Sequence, residues 1–391
     1  MKQILRYILL IPLLFAAPSM AEQSLEDRIK ALEKQVSKSK MTSDKVRFGG
    51  FLSTDFAYET QYVGYARMPT DTKMDISRGS IVGLQMDYKF TDSTGVGVQM
   101  TARGYQNWEP EFMWAYVKHE FDTGISVRAG RLGMPLFLYA DYIEVGYAQP
   151  WVRPPTEVYD IIPSRSFSGL DVIYNWDIDW ATLRFQPFFG EIDGDVRDNG
   201  FGDISVPQFL GMNTSLFYDD LTLRAVYAQS NDINLTAADG TNTFGGIITI
   251  DHMNAWFAGV GASFDDGDYM VITEIVRSRS PGSEFPGQDA AYLTLGYHLE
   301  DVTPYATIAR TRSTDDYIRA SNPSSAAFFN IARTSYSLGA RWDVLLGLAL
   351  KADVTYASNF GDTNGGLAGK STGASTADNV LVYTISVDAS F

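Results

Sequence analysis

The sequence predicts an all-β protein: a transmembrane antiparallel β-barrel of about sixteen strands, preceded by a short N-terminal periplasmic helix or coiled coil. Three observations predict it. The chain opens with an export signal, it alternates apolar and polar residues from Val46 onward, and tight joints alternate with long ones along its length.

The export signal occupies residues 1–21. Lys2 and Arg6 precede the apolar run from Ile8 to Ala17, and Ser19-Met20-Ala21 places small residues ahead of a cleavage point. Without Lys2 and Arg6 the 31 basic residues become 29 against 47 acidic ones, a formal charge of −18. So acidic a chain argues against nucleic acid as a partner. Cysteine is absent, so disulfides do not stabilise this exported protein. Beyond the signal no apolar run reaches the ~18 residues of a spanning helix. The remaining way to meet a membrane is a closed barrel, in which every backbone group pairs between strands. A soluble β-sandwich or propeller is the alternative.

Residues 22–45 read as a periplasmic stalk. Leu25, Ile29, Leu32 and Val36 recur at spacings of four, three and four among charged residues, an a/d seam. About two heptads are too few to hold a coiled coil alone. The segment is therefore either an oligomerisation stalk supported by the barrel it precedes or an amphipathic helix lying on another surface.

From residue 46 to 391 the period is two. Phe48, Leu52, Phe56 and Tyr58 alternate with Arg47, Ser53 and Asp55, and Val82 to Phe90 repeats the pattern. The same signature covers Gly95 to Gln106, Glu111 to Phe121, Gly124 to Gly133, Phe167 to Trp176, Trp180 to Gly190, Gln208 to Tyr218 and Leu221 to Ser230. It continues through His252 to Phe264, Asp268 to Ser280, Gln288 to Leu299, Val302 to Arg312, Asn330 to Asp343, Gly347 to Phe360 and Asn379 to Phe391. Joints such as Asp122-Thr123, Asp219-Asp220 and Glu300-Asp301 alternate with longer loops, the asymmetry of outer-membrane barrels. A barrel of this size keeps a water-filled lumen.

The cleanest strand separates the faces. Arg333, Ser335, Ser337, Gly339, Arg341 and Asp343 share one side; Ala332, Tyr336, Leu338, Ala340 and Trp342 share the other. Parity likewise points Lys89, Arg103, Arg128, Arg184, Arg224, Arg333, Arg341 and Lys351 inward, because a charge facing lipid at mid-membrane costs about 2–4 kcal/mol. Glu111 to Phe121, Asp268 to Ser280 and Val302 to Arg312 show no clear parity, so Glu274, Arg277, Arg279, Arg310 and Arg312 are assigned to neither face.

This organisation resembles the trimeric porins of Gram-negative outer membranes. The resemblance rests on the signal, the sixteen alternating segments, a long loop after the fifth, and a final strand DNVLVYTISVDASF ending in Phe391. It implies a cell outer-membrane location with the stalk in the periplasm, a homotrimer, contact with the lipid bilayer and lipopolysaccharide, and a terminal Phe391 read by the outer-membrane assembly machinery. It also implies that the loop of residues 134–166 folds into the barrel and constricts it. That segment carries Pro135, Pro150, Pro154, Pro155 and Pro163, which forbid regular structure, yet it is too apolar for a solvated tail. The stalk is similar to the segment that precedes the barrel in some anion- or dicarboxylate-selective relatives.

The expected function is a water-filled pore for passive diffusion of small hydrophilic solutes. Its expected constriction sets Asp141, Glu144, Glu157 and Asp160 of the loop against Arg103, Arg128, Arg131 and Arg184 of the wall, a transverse field for polar solutes. The alternative for each pair is that it only pins the loop. Tyr139, Tyr142, Tyr147, Trp151 and Tyr159 permit an aromatic track for sugars, against plain packing. A substrate-specific channel for sugars, dicarboxylates or other anions is thus one rival. An outer-membrane barrel hydrolase is the other, but His119, His252 and His298 have no recognisable nucleophile or base motif around them. No cofactor or metal site is expected. EIDGDVRDNGFGD, residues 191–203, only partly matches a calcium loop because Arg197 stands where an oxygen ligand is wanted.

Overall fold

The computed structural model describes residues 45–68, 73–195, 203–237, 248–373 and 375–391. The expected signal peptide and nearly all of the expected stalk lie outside the described residues, as do residues 196–202 of the calcium-like segment.

Sixteen long strands and the two-residue strand Met74–Asp75 make one antiparallel sheet. The long strands are β1 (Val46–Glu59), β2 (Ile81–Lys89), β3 (Thr94–Arg103), β4 (Pro110–Glu120), β5 (Ile125–Gly133), β6 (Ser166–Ile178), β7 (Ala181–Asp195) and β8 (Asp203–Tyr218). They continue with β9 (Leu221–Ala237), β10 (Ile248–Asp265), β11 (Tyr269–Arg279), β12 (Gly287–Tyr297), β13 (Val302–Thr314), β14 (Ala332–Leu345), β15 (Leu348–Ser358) and β16 (Val380–Ser390). Each pairs with its neighbours in sequence, and β1 pairs with β16 from Phe51↔Ser390 to Glu59↔Val382, so the sheet closes and has no free edge. Phe391 extends the seam: its N–H donates to Gly50 O at 3.0 Å and its carbonyl accepts from Gly50 N at 2.8 Å. At one end of the barrel the connections are two to four residues long; at the other they run from six residues to the 32 between β5 and β6.

The outer face is an apolar belt. Leu84, Val117, Val260, Ile275, Leu295, Leu338 and Ile385 all project outward and stay exposed on the isolated chain. In water such a surface would be a large uncompensated patch, whereas lipid covers it. Aromatic residues cluster beside the short turns, with Trp180 against Tyr218 at 5.7 Å and Tyr269 against Tyr297 at 5.2 Å.

Where alternation failed in the sequence, the structure gives the reason. In β4 the register with β3 shifts between Gln99↔Trp114 and Met100↔Phe112, so Met113 is an extra residue and parity inverts across it. In β11 the inward residues Met270, Ile272, Glu274 and Val276 are nearly all apolar because they pack on the inserted loop, so both faces read alike. In β13 Arg310 and Arg312 point outward while Thr307, Ala309 and Thr311 point in. The strands β8, β9 and β10 outrun their expected ends at Gln208, Ser230 and His252: the inward set changes parity there, with Asp232 and His252 at positive φ. The register of β9 with β10 shifts at the same height, and the period-two signal stops where the hairpin does not.

Depth should govern the cost of a charge on the belt. Leu338→Arg, at the middle of β14, is expected to lower folding stability in lipid vesicles by about 2–4 kcal/mol, and Leu345→Arg, at its end, by about 0–1 kcal/mol. Urea titrations of both variants check the difference.

Candidate functional site

The loop between β5 and β6 lies inside the barrel. Its neck is closed by Met134 N donating to Arg165 O at 2.9 Å. Its prolines and irregular path leave carbonyls that no ladder reaches, and the wall supplies charged donors for them. Arg224 of β9 donates to Pro135 O at 2.7 Å and Leu138 O at 3.3 Å. Arg341 of β14 donates to Tyr147 O at 2.6 Å and Gln149 O at 2.9 Å, and Lys351 of β15 to Gly146 O at 2.6 Å and Trp151 O at 2.9 Å. The reverse also occurs: Leu138 N donates to Glu274 Oε1 of β11 at 2.8 Å, and Trp151 Nε1 to Thr294 Oγ1 of β12 at 2.9 Å. Gly146 has no room for a side chain, since a Cβ there would collide with Asp388 Oδ1 and Ser53 Oγ.

Apolar packing completes the anchorage. Phe137, Trp151, Val158, Tyr159 and Ile161 are buried against inward residues that include Phe257, Ile272 and Tyr292. Phe137 meets Phe257 edge-on at 5.4 Å and Trp151 meets Tyr292 at 5.7 Å. The phenols of Tyr159 and Tyr292 share a buried hydrogen bond of 3.4 Å. Among the loop's five expected track residues only Tyr142 is exposed.

The loop thus lies against β9–β15 and reaches β16 and β1, where Gly146 abuts Asp388 and Ser53 and Arg153 pairs with Asp55. Beyond them it touches the wall where Arg103 Nε of β3 meets Glu144 Oε2 at 3.1 Å. A recess of about 150 Å³ lies on the long-loop side of that contact, lined by Arg78, Arg103, Tyr105, Glu144, Arg153, Asp160 and Arg165 among others. Another of about 300 Å³ lies on the short-turn side, between Val145 and Arg47, Gln85, Asp87 and Gln99. Farther round, a polar ladder runs across four strands. Arg128 Nε of β5 meets Asp171 of β6 at 2.9 Å, Gln186 of β7 donates to Asp171 at 2.8 Å, and Asn213 of β8 donates to Gln186 at 3.0 Å.

A closed barrel of sixteen long strands with the fifth connection turned inward decides the comparison. Its fold is the porin fold. OmpF of Salmonella typhi, solved with daunomycin, superposes with a TM-score of 0.59 at 9% identity over 88% of this chain and 97% of that one. The anion-selective porin of Comamonas acidovorans gives 0.56 at 12% over 88% and 99%. The outer-membrane-expressed OmpT of Vibrio cholerae gives 0.58 at 14% over 90% and 99%. No protein-family model and no curated relative matches the sequence.

Within the porin fold the eight expected constriction residues separate. Arg103 and Glu144 meet, with Arg103 also held by Glu111. Arg128 is paired with Asp171 on its own wall, and exposed Asp141 is near enough to act on Arg128 and Arg224 electrostatically. Asp160 lies 3.5 Å from Arg165 within the loop. Arg184 sits low on the wall, donating to Asn175 at 2.9 Å and lying 5.0 Å over the Phe217 ring. Two placements correct the reading from sequence. Glu157 faces Arg333 of β14 at 2.6 Å, both buried, and so fastens the loop to the opposite side. Arg131 falls on the outward side of β5, since Leu132 points in, and it donates to Phe112 O at 2.6 Å. Arg78 and Arg153 were missed because they lie in loops, where parity says nothing; Gln85 and Gln99 were legible as polar inward positions of β2 and β3.

Arg333→Ala should leave the Glu157 carboxylate buried and unpaired, destabilising the loop by about 3–5 kcal/mol, whereas the double change Glu157→Leu with Arg333→Met should cost far less. Protease cleavage within residues 134–165 of the folded barrel measures the difference.

Proposed function

We propose that the protein is an outer-membrane channel through which small hydrophilic solutes diffuse passively, narrowed where Arg103 and Glu144 join the wall to the inserted loop. The observation that carries this reading is the pair of polar recesses on either side of that contact, inside a barrel whose outer belt suits lipid. The lumen's cations support general diffusion over a dicarboxylate or anion filter. Arg153 faces Asp55, Arg165 faces Asp160, and Arg103 faces both Glu144 and Glu111, so little net field remains. The burial of Trp151 and Tyr159 supports packing over a sugar track, because a stacked sugar needs an exposed ring face. A homotrimer in the outer membrane, with the stalk in the periplasm, lipopolysaccharide around it and Phe391 offered to the assembly machinery, completes the proposal. Phe391 is 71% exposed at the closing seam, where another protein can reach it.

Purified protein in planar bilayers should give discrete conductance steps with weak ion selectivity. Arg103→Ala should raise the unit conductance by releasing Glu144, and Arg128→Gln with Arg184→Gln should shift the reversal potential toward cations at little change in conductance. Absence of steps from folded wild-type barrel would remove the channel reading.

The hydrolase reading has one observation in its favour: His252 Nδ1 bonds Asp232 on the hairpin β9–β10 at the long-loop end, a partner that sequence reasoning missed. Among the described residues their other hydrogen bonds there are with Asn234 and Asn254, whose amides are not nucleophiles. Peptide and ester substrates should be hydrolysed no faster by wild-type protein than by His252→Ala.

A further inference from the structure

The outward face of β11–β13 departs from the belt near its long-loop end. Arg277 and Arg279 of β11, Asp289 of β12, and Arg310 and Arg312 of β13 alternate with the inward residues Val276, Ala290, Ala309 and Thr311 and therefore point away from the lumen. The register sets Arg277 opposite Asp289 and Asp289 opposite Arg312, one row across three strands. Asp289 takes Arg277 Nε and an Arg279 terminal nitrogen at 2.8 Å each, and Arg312 at 3.4 Å. Arg310 stands one row nearer the membrane centre, opposite Ala291, and no acid among the described residues forms an ion pair with it. Three guanidiniums share one carboxylate, and Arg310 adds a fourth positive charge beside them.

Below the row the outer wall is hollow. Ala225, Ala258 and Ala291 leave a recess of about 810 Å³, walled by Tyr227, Val260 and Ile275 and closed at its upper edge by Arg277, Arg310 and Arg312. Height is marked by Tyr227 and Trp256, which stack at 6.3 Å with Trp256 opposite Arg279. Outward aromatic residues at the end of an apolar belt sit at headgroup level. A row with this excess of positive charge favours an anion beside it, and guanidiniums bind phosphate in bidentate pairs. A structural staple would account for Arg277, Asp289 and Arg312 but not for Arg310 or for the apolar hollow beneath it.

We propose that this face binds an anionic lipid of the outer leaflet, its phosphate held by Arg310 and Arg312 with Arg277, and an acyl chain lying in the alanine-floored recess. The inference rests on the membrane reading above and is independent of what passes through the pore. Full-length protein in detergent is titrated with lipid A, with dephosphorylated lipid A and with inorganic phosphate, following native mass and thermal unfolding. Wild-type protein should retain lipid A and unfold at a higher temperature with it, and should ignore the dephosphorylated form. Arg310→Gln with Arg312→Gln should weaken lipid A binding by about tenfold, the loss expected for removing charge-assisted contacts. Equal binding by the variant, equal binding of both lipids, or the same stabilisation from inorganic phosphate alone would overturn the proposal. So would dissociation of an oligomer in the variant, which would assign the row to a second copy of the chain. Unchanged heat-dependent mobility and unchanged conductance of the variant show that it is folded and inserted, which separates failure of the lipid site from failure of the membrane reading.

Discussion

Everything distinctive in this barrel depends on satisfying the backbone of one irregular segment. A strand hands its N–H and C=O groups to its neighbours, but residues 134–165 do so only in the short helical turns Ala140–Tyr142, Gly146–Ala148 and Thr156–Tyr159, and their prolines remove donors between them. Each buried carbonyl without a donor costs about 1–3 kcal/mol. The wall meets them with full charges: Arg224, Arg341 and Lys351 each reach two loop carbonyls. These are the positions at which sequence parity placed lumen cations. Their charge holds the loop against the wall.

That commitment divides the lumen. On the β9–β15 side the inner face is a hydrophobic core, with Phe257, Ile272, Val276 and Tyr292 packed on the loop's own aromatic residues. On the β2–β8 side it is polar, with Gln85, Gln99, Arg128, Asp171, Gln186 and Asn213 along the wall, until Phe167, Phe188 and Phe209 extend the hydrophobic core across β6–β8. A barrel wall that packs on a loop reads in sequence as a two-sided apolar strand, and one that faces water reads as a clean alternation. The β11 and β5 strands show the contrast. Glu274 in β11 is the single acid of an otherwise apolar inward set, and it serves the loop through Leu138 N.

The outward arginines of β11 and β13 follow from the same physics applied to the other solvent. Lumen water tolerates charge anywhere along the wall, whereas the lipid side tolerates it only at the headgroups. Arg277, Arg279, Arg310 and Arg312 all fall within four residues of the long-loop ends of their strands, as that rule requires.

The sequence by itself determined the fold class, the count of about sixteen strands and the place of the one long, apolar, proline-broken connection after the fifth, because each is written in a local signal: period two, turn length, or apolar irregular composition. That this connection turns inward came from the resemblance to porins. It also placed Arg103 and Glu144 on opposing elements. What only the tertiary structure decided is which charges meet. Parity says that Arg333 faces the lumen but not that Glu157 crosses to meet it, and it cannot register Met113 as an extra residue that inverts the end of β4. Alternation is a property of neighbours along one strand, whereas a loop threaded through the lumen pairs residues some 200 positions apart, such as Tyr147 with Arg341 and Trp151 with Lys351. The barrel's curvature brings those together, and nothing in either local pattern encodes it.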